Sequence, residues 1–294
     1  MNTIPFCKMS GCGNDFILVD NRAGYFGPND PGVFVRDVCR RKLSIGADGL
    51  ILIEPSKEAD FKWRFYNSDG SRAEMCGNGA RCAARFAYIH GIAGARMAFM
   101  TDAGRVDARI VGTGVTIGMI NPSPIEDGIR LDIDGDMLQM SHINTGVPHV
   151  VMYRPDADRF ELDRWGPKIR FHQRFAPAGA NVNVMRMDPE GIVFVRTYER
   201  GVEDETLACG TGAVACALVA AHRHKGKGPI KVKTKSGGML IIHFERRGDE
   251  FVRVCLEGDA RFIYRGELYE EGYGYALIKN EDPGLPPGCD SQNG

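Results

Sequence analysis

Apolar and polar residues fall along most of this chain in short runs bounded by turn residues, a pattern of strands rather than long helices. Phe16–Asp20, Leu50–Glu54 and Phe61–Tyr66 predict strands, as do Met97–Met100, Arg105–Ile110 and Val115–Met119. The second half continues with Val150–Tyr153, Asn181–Met185, Ile192–Tyr198, Ile230–Thr234, Met239–Phe244 and Phe251–Leu256. Asp30-Pro31 opens a helix running towards Leu43, with proline at a favoured first-turn position, and a second helix covers Arg159 to Phe171. Helices do not alternate strictly with strands. That disfavours a doubly wound parallel sheet and predicts an α+β fold with antiparallel sheets. Asn121-Pro122-Ser123-Pro124 is the best linker, and the tail from Glu281, rich in Pro, Gly and polar residues, predicts a loose end.

An internal repeat adds to this picture. Aligning Cys76 with Cys209 matches Gly77 to Gly210, Gly79 to Gly212 and Ala80 to Ala213. MCGNGARCAARFAYIHG then stands beside ACGTGAVACALVAAHRHKG. Alanine matches are cheap in helices, whereas a shared Cys-Gly-x-Gly at two helix starts is informative. It implies two similar domains, each presenting one cysteine from a helix N-terminus.

At 294 residues the chain falls in the range, roughly 250–300, at which single cores stop growing, which also favours two domains. With 37 basic and 38 acidic residues it has no basic excess for nucleic acid or a membrane surface, which leaves a small polar ligand. The opening MNTIPFCKMSGCGNDF has neither a basic n-region nor a long apolar h-region, and the longest apolar stretch, Leu207 to Ala221, is too short for a bilayer. Nine cysteines without a secretory signal point to free thiols in a reducing cytoplasm.

A helix N-terminus offers free N–H groups and partial positive charge, and glycines allow close approach. Gly77, Asn78, Gly210 and Thr211 could therefore donate to a carboxylate. The dipole stabilises a neighbouring thiolate by only about 0.3–1 kcal/mol, so a base must help; His149 and Glu199 are the candidates. Two such thiols facing one α-carbon make a racemase: a thiolate removes the proton and a thiol on the other face delivers one. Two thiolates about 7 Å apart would repel by roughly 2.4 kcal/mol at an effective dielectric of ~20, which favours a singly protonated pair. The plainer reading, a buried small hydrophobe, suits Cys7, Cys39, Cys82, Cys216 and Cys255. There is no Cys-x-x-Cys pair, no close Cys/His set for structural zinc, no full dinucleotide fingerprint and no Walker-type Gly-Lys-Ser/Thr. His222 and His224 favour a helix C-terminus.

With these residues in hand, the chain resembles the diaminopimelate epimerases. KMSGCGNDFILVDN at Lys8–Asn21, IGADGLILIEPS at Ile45–Ser56 and FYNSDGSRAEMCGNGARC at Phe65–Cys82 carry the resemblance, followed by NTGVPHVV at Asn144–Val151, PAGANVNVM at Pro177–Met185 and RTYERGVEDETLACGTG at Arg196–Gly212. Six motifs in order are specific for this superfamily. The resemblance implies two related domains, each a barrel-like antiparallel sheet around a central helix, with the active site in the cleft between them. Their extents are 1–121 and 122–261, with 262–280 returning to the first domain and 281–294 as the loose tail. It implies Cys76 and Cys209 as catalytic thiols, and Asn14, Asn67, Asn181, Glu199 and Arg200 among the site residues. It implies no cofactor and no metal, a cytoplasmic homodimer, and interconversion of LL- and meso-2,6-diaminopimelate towards lysine and peptidoglycan.

Three positions depart from the family pattern. Gly49 replaces a Gln found in some members, Val147 replaces an Asn before Pro-His, and the Gly201–Glu205 loop is one residue longer. The first two bear on substrate identity more than on reaction type. Arg200 is the natural bidentate partner for a second carboxylate. The competing readings are a racemase of another amino acid on the same fold, or a thiol redox or binding protein without turnover. Separating stereoisomers after incubation with LL-diaminopimelate and single-centre amino acids discriminates all three.

Overall fold

The structure, a computed structural model, describes residues 3–27 and 30–273. The predicted tail at 281–294 lies outside them. In chain order the first half holds β1 (Ile4–Gly11), β2 (Asn14–Asp20), α1 (Gly32–Val38), β3 (Gly49–Glu54), β4 (Phe61–Asn67), β5 (Arg72–Ala73), α2 (Gly77–Ile89), β6 (Arg96–Thr101), β7 (Gly104–Val111) and β8 (Gly114–Gly118). The second half holds β9 (Glu126–Ile133), β10 (Asp136–Asn144), β11 (Pro148–Tyr153), α3 (Leu162–Arg170), β12 (Asn181–Met187), β13 (Val193–Glu199), β14 (Asp204–Thr206), α4 (Gly210–His224), β15 (Ile230–Lys233), β16 (Met239–Arg247) and β17 (Glu250–Asp259). β18 (Arg261–Leu268) closes the described chain and pairs with β1.

The described strands form one continuous sheet whose midpoint is the antiparallel pair β8–β17. Outward from β8 the neighbours are β7, β6, β4, β3, β2, β1 and β18. Outward from β17 they are β16, β15, β13, β12, β11, β10 and β9. Both arms run antiparallel, antiparallel, parallel, antiparallel, parallel, antiparallel, antiparallel. The short β5 and β14 attach to β4 and β13. The Cys-Gly-x-Gly repeat is therefore the local trace of a duplicated topology. The outermost strand of the first arm is supplied by β18, from the far end of the described chain.

The expected α+β class is borne out, with one amendment: the sheets are mixed. Four pairs are parallel, β2–β3, β4–β6, β11–β12 and β13–β15. Parallel neighbours need a crossover, and each of these pairs is bridged by one of the four helices. Sequence reading also left β1, β9 and β10 unassigned, and it extended the first helix too far. Beyond α1 the chain folds back, with Gly46 N–H on the Val38 carbonyl (2.9 Å) and Lys42 in the left-handed region.

α2 and α4 run through the middle of the two arms. Gly212 to Ala221 of α4 are buried without a break, and α2 buries Asn78 to Ala84, Phe86 and Ala87. This explains the alanines: a helix enclosed by sheet has no solvent face, and only small side chains let strands approach on every side. One apolar core joins both helices through Ile117, Leu240 and Leu256.

Candidate active site

Cys76 is the N-cap of α2 and Cys209 the N-cap of α4, each just after the short strand β5 or β14. The two helix N-termini meet. A β-carbon built on Gly210 would lie 3.9 Å from the Gly77 α-carbon, and Leu256 of β17 touches both glycines from below.

The thiols share an electrostatic environment. Burial pushes Cys76 up and the nearby Glu199 carboxylate adds to this, while the Gly79 and Asn78 N–H groups oppose it. The Gly79 N–H lies 3.5 Å from the Cys76 sulfur. Burial pushes Cys209 up as well, reinforced by Glu199 and Cys76 and opposed by the Thr211 hydroxyl and the Gly212 N–H. The helix dipole, worth under about one pKa unit, loses to desolvation at both sulfurs. Glu199 itself is raised by burial, against hydrogen bonds with Thr206 and Cys209.

The remaining candidates form two groups. Around α2, Asn78 Nδ2 donates to Asn14 Oδ1 (2.6 Å) and Asn14 Nδ2 donates to Asp48 (2.9 Å). Arg41 in turn holds Asp48 and Asp15. Asn67, exposed at the end of β4 and paired with Gly49, donates to the Ser71 hydroxyl (3.1 Å), and none of its hydrogen bonds among the described residues reaches Asn14, Asn78 or the thiols. Around β11–β13, buried Asn181 accepts from the Arg200 backbone N–H (2.7 Å) and donates to the Pro148 carbonyl (3.3 Å). The Arg200 guanidinium bonds the Ala178 carbonyl and has no carboxylate partner among the described residues. His149 is fully buried, close enough to Arg200 to feel its charge, and its ring bonds Asn183 rather than a thiol.

Three supporting residues were not singled out from sequence. Arg81, fully buried, bonds the Gly77 carbonyl, Asn78 Oδ1 and the Asp259 carbonyl, tying the head of α2 to β17. Ser236 donates its N–H to the Leu207 carbonyl (2.9 Å) and its hydroxyl to the Cys12 carbonyl (3.1 Å). It thereby clasps the loop before Cys209 to the turn before Asn14; Gly13 (φ 97°) leaves a β-carbon no room there, 2.9 Å from Ser236 Cβ. Asn183 lies against Gly212. Arg81 and Asn183 fall inside motifs already noted, at 65–82 and 177–185, whereas Ser236 lies outside all six and carried no sequence signal. Gly49 is also explained: a β-carbon there would lie 2.5 Å from the Tyr66 carbonyl, so this backbone holds no side chain at that position. The longer 201–205 loop is absorbed by a turn with Glu203 in the left-handed region. Cys7, Cys39, Cys82 and Cys216 are buried as expected, whereas Cys255 is only half-buried.

A duplicated, mixed sheet around two central helices, here with a cysteine heading each, defines the class: a fold shared with solved structures of proteins of several functions. A hydroxyproline epimerase from Agrobacterium vitis matches with a TM-score of 0.66 at 16% identity, covering 91% of each chain. A Bacillus anthracis phenazine biosynthesis protein of the PhzF family gives 0.72 at 14% identity, covering 92% of this chain and 100% of that one. Within the class, the family model described as diaminopimelate epimerase matches residues 6–123 and 141–263. The diaminopimelate epimerase of Aquifex aeolicus is 45% identical over 281 residues, 91% of this chain and 99% of the relative. That of Chlorobaculum tepidum is 41% identical over 264 residues, 88% and 99%. The chain belongs to the diaminopimelate epimerase family, a family of isomerases that epimerise diaminopimelate.

Proposed function

We propose that this chain interconverts LL- and meso-2,6-diaminopimelate by two-base proton transfer, with Cys76 and Cys209 on opposite faces of one α-carbon. The observation that carries the reading is the abutment of two cysteine-headed helix N-termini at Gly77 and Gly210. Their N–H groups, at Gly77, Asn78, Gly210 and Thr211, receive the α-carboxylate and the charge that spreads into it as the carbanion forms.

Burial holds both sulfurs as thiols before substrate enters. An amino acid brings an ammonium. A positive charge about 4 Å away is worth ~4 kcal/mol at an effective dielectric of ~20, about three pKa units. Substrate binding thus lowers the thiols towards the range in which one ionises, and Glu199, hydrogen-bonded to Cys209, takes up that proton. Arg200, without a carboxylate of its own, receives the distal carboxylate, and Asn181 holds its backbone. Asn14 and Asn67 complete the distal end, and His149 lies in the same shell. The two arms act as domains meeting at residues 121–122, with the segment from 262 returning to the first, as the β18–β1 pairing favours. The free thiols suit a reducing cytoplasm, and the family resemblance favours a homodimer.

In heavy water the product should carry solvent deuterium at the inverted centre, while substrate recovered early carries almost none. A thiol holds one proton, so internal return gives back the substrate's own. Equal early labelling of substrate and product would rule out the two-thiol scheme.

A further inference from the structure

Asn183 is fully buried on β12 and uses its whole amide. Nδ2 donates to the Val150 carbonyl (2.8 Å) and faces His149 Nδ1 (3.1 Å), while Oδ1 accepts from the Thr197 hydroxyl (2.9 Å). The Val150 carbonyl decides the orientation. A carbonyl oxygen can only accept, so the amide nitrogen must be the atom turned to it. The same nitrogen is then the atom turned to His149. A hydrogen bond between two nitrogens needs one donor and one acceptor, so Nδ1 must be bare. In a neutral imidazole the proton then sits on Nε2. Rotating the ring by half a turn would set a C–H against the amide donor and lose the bond.

We infer that Asn183 holds His149 as the neutral Nε2–H tautomer, so that His149 meets the substrate as a hydrogen-bond donor to a carboxylate oxygen and not as a base. Its Nε2 has no partner among the described residues, although the residue is fully buried. A buried donor left unmade is unfavourable, and an incoming anionic acceptor removes that cost. An imidazolium is disfavoured twice. Its Nδ1–H would collide with the Asn183 donor, and the charged or titratable groups that act on the ring, Arg200 and His142, both oppose a positive charge. Burial and these neighbours push His149 down to about 3. A donor that does not titrate keeps its proton throughout the working pH range. Proton traffic is then left to the two thiols and Glu199. Asn183 is thus a positioning residue, acting through His149. The tautomer stands independently of the proposed activity; only its use on substrate rests on that reading.

The test is ring ¹⁵N spectroscopy on histidine-labelled protein, with His149 assigned by the signal lost in His149→Gln. Wild type should show Nε2 protonated, Nδ1 bare, and no titration between about pH 5.5 and 9. A proton on Nδ1, or a His149 that titrates near its ordinary value, overturns the inference. Adding diaminopimelate should shift the Nε2 resonance without protonating Nδ1; if substrate turns over while Nε2 does not move, the donor role is wrong although the tautomer stands. Asn183→Asp offers the ring an acceptor and should move the proton to Nδ1 and make His149 titrate. An unchanged tautomer in folded Asn183→Asp would show that Asn183 does not set it.

Discussion

The duplicated helix heads are not equally tolerant of one extra carbon, and Gly212→Ala against Gly79→Ala measures the difference. At Gly212 an added β-carbon would lie 2.5 Å from Asn183 Oδ1, 3.1 Å from Thr197 Oγ1 and 3.3 Å from Cys209 Cβ. Asn183 cannot retreat, because its amide is fixed by Val150, His149 and Thr197. Overpacking costs about 1–3 kcal/mol and loss of buried hydrogen bonds at Asn183 about 1–3 kcal/mol more, against a helix-propensity gain of about 1 kcal/mol. The net loss is about 3 kcal/mol. With a urea slope near ~3 kcal/mol/M this lowers the unfolding midpoint by about 1 M. At Gly79 the same carbon meets the Ile51 Cδ1 methyl at 3.2 Å, and Cys76 Cβ and Phe16 Cε1 at 3.6 Å. A methyl at the end of a side chain can give, so Gly79→Ala should stay within about 1 kcal/mol of wild type. Paired urea titrations followed by circular dichroism decide it. Equal midpoints for Gly212→Ala and wild type would refute the claim that Asn183 is fixed against α4.

Other outcomes follow from the same geometry. Cys76→Ala and Cys209→Ala should each abolish epimerisation, while one remaining thiolate can still eliminate halide from a β-halogenated analogue; brisk inversion by either variant, read by separating stereoisomers, contradicts the two-thiol scheme. Arg200→Ala should lower kcat/KM on diaminopimelate by about 30-fold or more, from the ~2–5 kcal/mol that a buried charged contact typically carries; near-normal efficiency would remove Arg200 as the distal clamp. Glu205 is held below its ordinary range by Arg196 and Lys235 in spite of burial. A depressed folded-state pKa stabilises above the unfolded value and is lost as pH falls through the folded one. Glu205→Gln should therefore unfold at lower urea than wild type at pH 7, and the gap should close on acidification below about pH 4.5; a gap that persists at pH 3 would exclude the ion pairs as its cause.

Much of the site was legible because its chemistry is local. A Cys-Gly-x-Gly ahead of an alanine-rich run specifies a helix start with a thiol at its cap and room for a ligand, and this needs only a few consecutive residues. Most strands were legible for the same reason. What local sequence withholds is who stands beside whom. The alanines of α2 and α4 looked uninformative until the enclosing sheet gave them a role. β9 and β10 have weaker apolar alternation and exposed faces, and β1 is polar at several positions that pairing with β2 and β18 buries.

By itself, then, the sequence determined the α+β class, the repeat, the two thiols and the family. Caps, periodicity and motif order are all properties of neighbouring residues. Only the tertiary structure decided that the arms are mixed rather than antiparallel, that the returning segment expected from the resemblance enters as an antiparallel partner of β1, and that the thiols are driven up by burial rather than down by the helix dipole. It alone set Asn183, Arg81 and Ser236 beneath the site. Each of these depends on desolvation or on hydrogen bonds between residues tens to hundreds of positions apart, where spacing along the chain carries no information about distance in space.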